Sequence, residues 1–116
     1  MAASTLSDTV FIRAADREPS TVDRGVRRRM LGHGPDLMMV SVDFEAGAVG
    51  AMHNHPHRQV TYVASGVFRV TVDGRDETLR PGDSFYVAAD LVHGVVALEA
   101  GTLIDVFTPA RDDFLK

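Results

Sequence analysis

Residues 47–66 read Gly47-Ala48-Val49-Gly50-Ala51-Met52-His53-Asn54-His55-Pro56-His57-Arg58-Gln59-Val60-Thr61-Tyr62-Val63-Ala64-Ser65-Gly66, and the fold turns on the spacing of the histidines inside this stretch. His53 and His55 stand two apart, which on a β-strand puts both imidazoles on one face. Three of the five histidines of the 116-residue chain fall in the run His53-Asn54-His55-Pro56-His57. Neutral ring nitrogens placed this way can bind a divalent ion at about 2.0–2.1 Å, provided their other nitrogens find partners. Pro56 imposes a turn, after which Gln59 follows, and His93 supplies a fourth donor if its strand comes alongside. The chain has no cysteine, so disulfides, thiolate metal sites and a cysteine nucleophile are excluded. Any metal must be held by nitrogen and oxygen. Taken singly, a histidine near a turn is an ordinary surface residue and a lone glutamine faces solvent; the combination carries the inference.

The flanking sequence reads as short strands. Met38, Val40, Val42 and Phe44 alternate with Met39, Ser41, Asp43 and Glu45, the period of a half-buried strand. Gly32-His33-Gly34-Pro35-Asp36 reads as the turn before it. Phe68, Val70 and Val72 alternate with Arg69 and Thr71 and then meet Asp73-Gly74, a hairpin signal because both central positions favour positive φ. Pro81-Gly82-Asp83 reads as a turn into Phe85, Tyr86 and Val87. Strand-like runs follow at Val92 to Leu98 and Thr102 to Phe107, separated by Glu99-Ala100-Gly101. With no long amphipathic helix, this pattern predicts an all-β antiparallel barrel or sandwich. Residues 1–25 lack sustained periodicity and are expected to form an N-terminal arm or irregular strand ahead of a barrel over 26–116.

Composition narrows the function classes. At 116 residues with 45% hydrophobic content the chain supports one core. The N-terminus has no cationic region followed by an apolar run, and no stretch reaches the roughly 18 apolar residues of a membrane span. A cytoplasmic protein without membrane association is expected. A net charge of −4 gives nucleic-acid binding little support. The one basic cluster, Arg24 to Arg29, has two readings: Arg27, Arg28 and Arg29 as the solvated face and edge of a strand, or as a recognition surface for an anionic ligand or subunit.

The pattern Gly47-x5-His53-x-His55-x3-Gln59-x6-Gly66 resembles the first cupin motif at every spacing. Gly82-x5-Ala88-x-Asp90-x2-His93-x3-Ala97 resembles the second, matching at the Gly and the His while the usual Pro, Gly and Asn are replaced. The resemblance implies a single-domain cupin, a double-stranded β-helix or jelly-roll barrel. It also implies one divalent transition-metal ion (nickel, zinc, manganese or iron) held by His53, His55, Gln59 and His93. Many cupins carry a glutamate where this chain has Gln59. A neutral carboxamide leaves the ion its full charge and favours Lewis acidity over redox chemistry with oxygen. His57, in the intervening turn, is read as structural.

The C-terminal run Asp105-Val106-Phe107-Thr108-Pro109-Ala110-Arg111-Asp112-Asp113-Phe114 is similar to that of the KdgF-type pectin-degradation cupins, as are Leu31-Gly32-His33, Leu37-Met38-Met39-Val40 and the histidine run. Members of that family open 4,5-unsaturated monouronates, the products of pectin and alginate lyases, to linear keto forms. The resemblance implies that Asp105, Phe107 and Arg111 belong to the active site, and that the protein is a homodimer, the arm being a candidate to cross between subunits. The residues suit such a substrate. Asp105 and Phe107 share strand parity, so both can face the barrel mouth. Arg111 offers a planar fork for the small acidic sugar's carboxylate, Phe107 an apolar wall, and Asp105 an acid or base for proton movement at the hemiacetal and the enol carbon. The alternatives are an acceptor role for Asp105, core packing for Phe107 and a solvated end for Arg111. Two rival functions share the metal site: a cupin oxygenase needing a redox-active metal, and a non-catalytic binder of a small acid or sugar. Fold alone does not choose among them.

Overall fold

The computed structural model describes residues 10–115. Its eight strands are β1 (Ser20–Asp23), β2 (Val26–Gly34), β3 (Leu37–Phe44), β4 (Val49–His53), β5 (Arg58–Val72), β6 (Arg75–Leu79), β7 (Ser84–Val87) and β8 (His93–Thr108). All pairings are antiparallel, in the order β1-β2-β3-β8-β5-β6, with β4 also pairing β8 and β7 also pairing β5. The short segments flanking the sheet, Ala14–Asp16 and Asp112–Leu115, are 3-10 turns.

Two long strands organise the barrel, because each takes part in both of its halves. Residues 103–108 of β8 pair with β3 and with 58–63 of β5, which also pairs β7. Residues 93–97 of β8 pair with β4 and with 68–72 of β5, which also pairs β6. Between the halves the β5–β8 register shifts three times, from Val63 to Phe68. Glycine is required at this crossing: a Cβ on Gly101 would lie 2.1 Å from the Ser65 carbonyl oxygen, and one on Gly66, at φ 81°, 2.6 Å from that of Ala100.

Alternation set the inside. Met38, Val40, Val42 and Phe44 are buried, and with Val63, Phe68, Val70, Leu103 and Phe107 they form the core, where Phe44 packs edge-on to Phe68 at 5.2 Å between ring centroids. The Asp73-Gly74 hairpin forms with both residues at positive φ, 50° and 79°.

Three local expectations are corrected. Gly32, His33 and Gly34 belong to β2, pairing Met39, Met38 and Leu37 across a register shift, so the turn narrows to Pro35-Asp36. Glu99-Ala100-Gly101 does not separate two strands; the ladder continues through it and β8 runs unbroken. His55 is not on a strand, since β4 ends at His53 and Pro56 keeps the chain irregular until Arg58. Within the stretch read as an arm, Ser20–Asp23 forms β1 against β2, while residues 1–9 lie outside those described. No helix among the described residues is long and apolar enough to cross a membrane.

Candidate active site

Closure of the barrel brings the sequence-distant donors together. His53, at the end of β4, pairs directly with His93, at the start of β8, and their ring centroids are 4.3 Å apart. His55 arrives from the following turn, 4.8 Å from His93 between centroids. One ligand nitrogen from each ring lies within 4.8 Å of the others. His55 and His93 are buried, and His53 opens to solvent.

The hydrogen bonds decide which nitrogens are free. The Nδ1 atoms of His53, His55 and His93 lie 2.8, 2.9 and 2.9 Å from the carbonyl oxygens of Ala51, His57 and Leu91. A carbonyl only accepts, so each Nδ1 donates and each neutral ring is left with an unprotonated Nε2. Burial, reinforced by neighbouring positive charge, favours the neutral form: it pushes His93 down to about 4 and lowers His55.

Gln59 completes the set through a chain of side chains. Thr61 Oγ1 donates to Asp105 Oδ1 at 2.7 Å, and Gln59 Nε2 donates to Thr61 Oγ1 at 2.8 Å. With its amide nitrogen so committed, Gln59 turns its Oε1 toward His55 Nε2, 3.0 Å away. Two acceptors therefore face each other with no proton between them. Such lone pairs repel unless a cation shares them, and this arrangement, with three converging imidazoles, is what a divalent metal requires. The donor set fits the ion that the sequence called for.

A cavity of about 310 Å³ opens over these residues, at the lower end of the roughly 300–1,000 Å³ typical of small-molecule sites. His53, Gln59, His93, Asp105, Phe107 and Arg111 all line it, so every predicted site residue except the deeper-lying His55 reaches the same space. Asp105 sits in the wall opposite Thr61. Burial pushes its carboxyl up to about 6, against the opposing pull of the Thr61 hydroxyl, Arg111, His53 and Arg28. Phe107 is buried in the core, edge-on to His55 at 5.8 Å between centroids, and is among the residues lining the cavity.

Arg111 is not a solvated end: its side chain is 11% exposed. Its guanidinium lies 5.1 and 4.3 Å from the ring centroids of Phe107 and Phe114. Its fork, however, is already engaged, because Nε and Nη2 donate to the two carboxylate oxygens of Asp113 at 3.0 and 2.8 Å. Sequence reading also missed two residues. Thr61 gave no signal of its own, and Arg28, read either as a solvated edge or as an anion contact, lines the cavity beside Arg111. Its parity with buried Val26 and half-buried Met30 was the available signal.

Residues 40–107 match the cupin domain family, and the chain belongs to it. Within that family it is KdgF-like. It is 45% identical over 93 residues to the pectin degradation protein KdgF of Dickeya dadantii, covering 78% of this chain and 84% of that one. The structure of KdgF from Halomonas sp. superposes with a TM-score of 0.86 at 42% identity, covering 90% of this chain and 96% of the other. An RmlC-like cupin from Shewanella frigidimarina gives a TM-score of 0.88 at 44% identity, covering 90% and 95%.

Proposed function

We propose that the protein opens the ring of 4,5-unsaturated monouronates to give linear keto forms. The observation that carries this reading is the convergence, in one cavity, of a metal-ready imidazole cluster with a buried carboxyl group, an aromatic wall and guanidinium groups. Similarity to a protein named for pectin degradation supports it.

A divalent ion (nickel, zinc, manganese or iron) held by His53, His55, Gln59 and His93 would supply an electrophile for the sugar's oxygens. Asp105 takes the proton of the anomeric hydroxyl as the hemiacetal bond to the ring oxygen breaks. That oxygen departs as an enolate, and the proton on Asp105 passes to the neighbouring enol carbon, leaving an aldehyde and a ketone with no net gain or loss of protons. A carboxyl near 6 suits both halves, being ionised at neutral pH yet less strongly acidic than an ordinary aspartic acid once protonated. Phe107 bounds the ring on its apolar side, and Arg111, fixed by Asp113, packs against that wall with its guanidinium 5.1 Å from the ring centroid.

Two barrels pairing through the outer face of the sheet is part of the same reading. Met39, Val106, Val60 and Tyr86 are successive cross-strand partners on β3, β8, β5 and β7, and Leu37 and Tyr62 flank them. Val60, Tyr62 and Tyr86 are 48%, 49% and 55% exposed, an apolar outer surface of the kind that marks an interface.

Incubation of metal-loaded protein with lyase-generated unsaturated monouronate tests the reaction. Absorbance of the conjugated double bond should decay faster than in buffer; a decay no faster than in buffer would refute it.

A further inference from the structure

The two guanidinium groups in the cavity differ in one respect. Arg111 already has a carboxylate partner, Asp113. Arg28 makes no ion pair and no side-chain hydrogen bond among the described residues, although it is half-buried and its guanidinium carbon stands 3.7 Å from the centroid of the Phe114 ring. Its neighbours in sequence are spent differently: Arg27 faces solvent, and Arg29 donates its Nε to the Arg17 carbonyl at 3.0 Å.

No carboxylate among the described residues offsets the partial burial of Arg28. Stacking on an aromatic face is weaker than a hydrogen-bonded ion pair and offsets only part of the cost of holding a charge partly out of water. Arg111, whose guanidinium sits over the same Phe114 ring, adds like-charge repulsion, while Asp105 and Asp113 attract from beyond ion-pair distance. The cavity's other carboxylate, Asp23, accepts the Arg24 backbone N–H at 2.7 Å. A planar fork, pre-positioned by Phe114 and open to the cavity, matches a carboxylate.

We propose that Arg28 receives the carboxylate of the ligand in this cavity, and that Arg111, tied to Asp113, is a positioning residue that holds Phe114 and Phe107 in place. The identity of the acid as an unsaturated uronate rests on the reaction proposed above; the anion site itself does not.

Calorimetric titration of the metal-loaded full chain with galacturonate, a saturated and unreactive acid, and with galactose, its neutral counterpart, tests the assignment. Wild type should prefer galacturonate, and Arg28→Gln should lose roughly 10–100-fold in affinity for it, the scale of one charge-assisted hydrogen-bonded pair, with galactose unaffected. Arg28→Lys should recover part of the loss. A wild type without the preference, an Arg28→Gln protein that keeps it, or equal losses for both sugars would overturn the proposal. Should Arg28→Gln fail to fold, Arg28→Lys decides: unchanged galacturonate affinity at a normal melting temperature overturns it. Preference for galacturonate in a wild type that leaves unsaturated monouronate untouched would sink the proposed reaction and leave the role of Arg28 standing.

Discussion

Thr61 and Asp105 face each other directly across the β5–β8 ladder, and the Thr61 hydroxyl gives its one proton to the Asp105 carboxylate. That single donation fixes the rest of the polar chain. With its proton spent, Thr61 Oγ1 accepts from the Gln59 amide nitrogen, and the Gln59 oxygen has only the histidine cluster to face. A carboxylate in the proposed acid–base role thus also orients a proposed metal ligand, through an uncharged intermediary.

Replacing Thr61 by valine preserves shape and removes both bonds, which frees the Gln59 amide to turn its nitrogen toward the cluster. Metal affinity of Thr61→Val should fall roughly 10–100-fold, the usual effect of deleting a ligand's supporting partner. Thr61→Ser should keep near-wild-type affinity. Competition with a chromogenic chelator measures both, and equal affinity in Thr61→Val and wild type would remove Thr61 from the site.

Asp105→Asn keeps an oxygen that accepts from Thr61, so its metal content should stay normal. It cannot exchange a proton, and turnover should fall roughly 10²–10⁴-fold, the scale of general acid–base catalysis. In wild type the ionised carboxylate is the competent base, so activity should decline as pH falls through about 6. An Asn variant with normal turnover, or a wild-type acid limb at the ordinary aspartate position, counts against the assignment.

Metal-free protein should show opposing pH dependences from two residues of β8, His93 and Asp105. Burial lowers His93 to about 4 in the folded state from the ordinary 6.5, so between these pH values the unfolded chain binds the extra proton and stability is lost as pH falls. His55, also lowered, acts with the same sign. Asp105 titrates at about 6 folded against 3.8, so there the native state binds the extra proton and stability is gained as pH falls. Asp105→Asn removes the compensating gain. Thermal melts of chelator-treated protein should therefore drop more steeply between about pH 6.5 and 4 in the variant than in wild type; parallel curves would show that Asp105 carries no such shift.

Val60 stands mid-row on the apolar outer face, with Val106 and Tyr86 opposite it. Val60→Lys places a charge there without touching the inward-facing Gln59 and Thr61. Light scattering after gel filtration should give a dimer mass for wild type and a monomer mass for the variant. A wild-type monomer, or a variant dimer, would assign that face another role.

Much of this site was legible because its signals are local. His53 and His55 announce themselves by spacing, Asp73-Gly74 by φ preference, and the buried residues of β3 by alternation. What escaped depends on long-range pairing. A threonine on a strand looks the same whether or not an aspartate 44 residues away stands opposite, so Thr61 was invisible. Arg28 shared the inward parity of Val26 and Met30, yet whether that side faces a cavity depends on Phe114 returning from the far end of the chain. The unity of β8 was hidden because Glu99-Ala100-Gly101 carries turn-forming chemistry while the glycine is needed for strand crossing. Arg111 was expected to offer its fork to a ligand, and only three-dimensional geometry shows Asp113 occupying it.

Each imidazole of the cluster is braced by a main-chain carbonyl two residues away in its own segment, on Ala51, His57 or Leu91. Every residue type supplies that carbonyl, so side-chain substitution in the surroundings leaves the three bracing bonds in place. Gln59 is held differently, by Thr61 and through it Asp105, both of them side chains open to mutation. The histidines are therefore held by main chain and Gln59 by side chains, so substitution at Thr61 or Asp105 that breaks this chain of bonds would loosen the Gln59 arm while leaving the three bracing bonds intact.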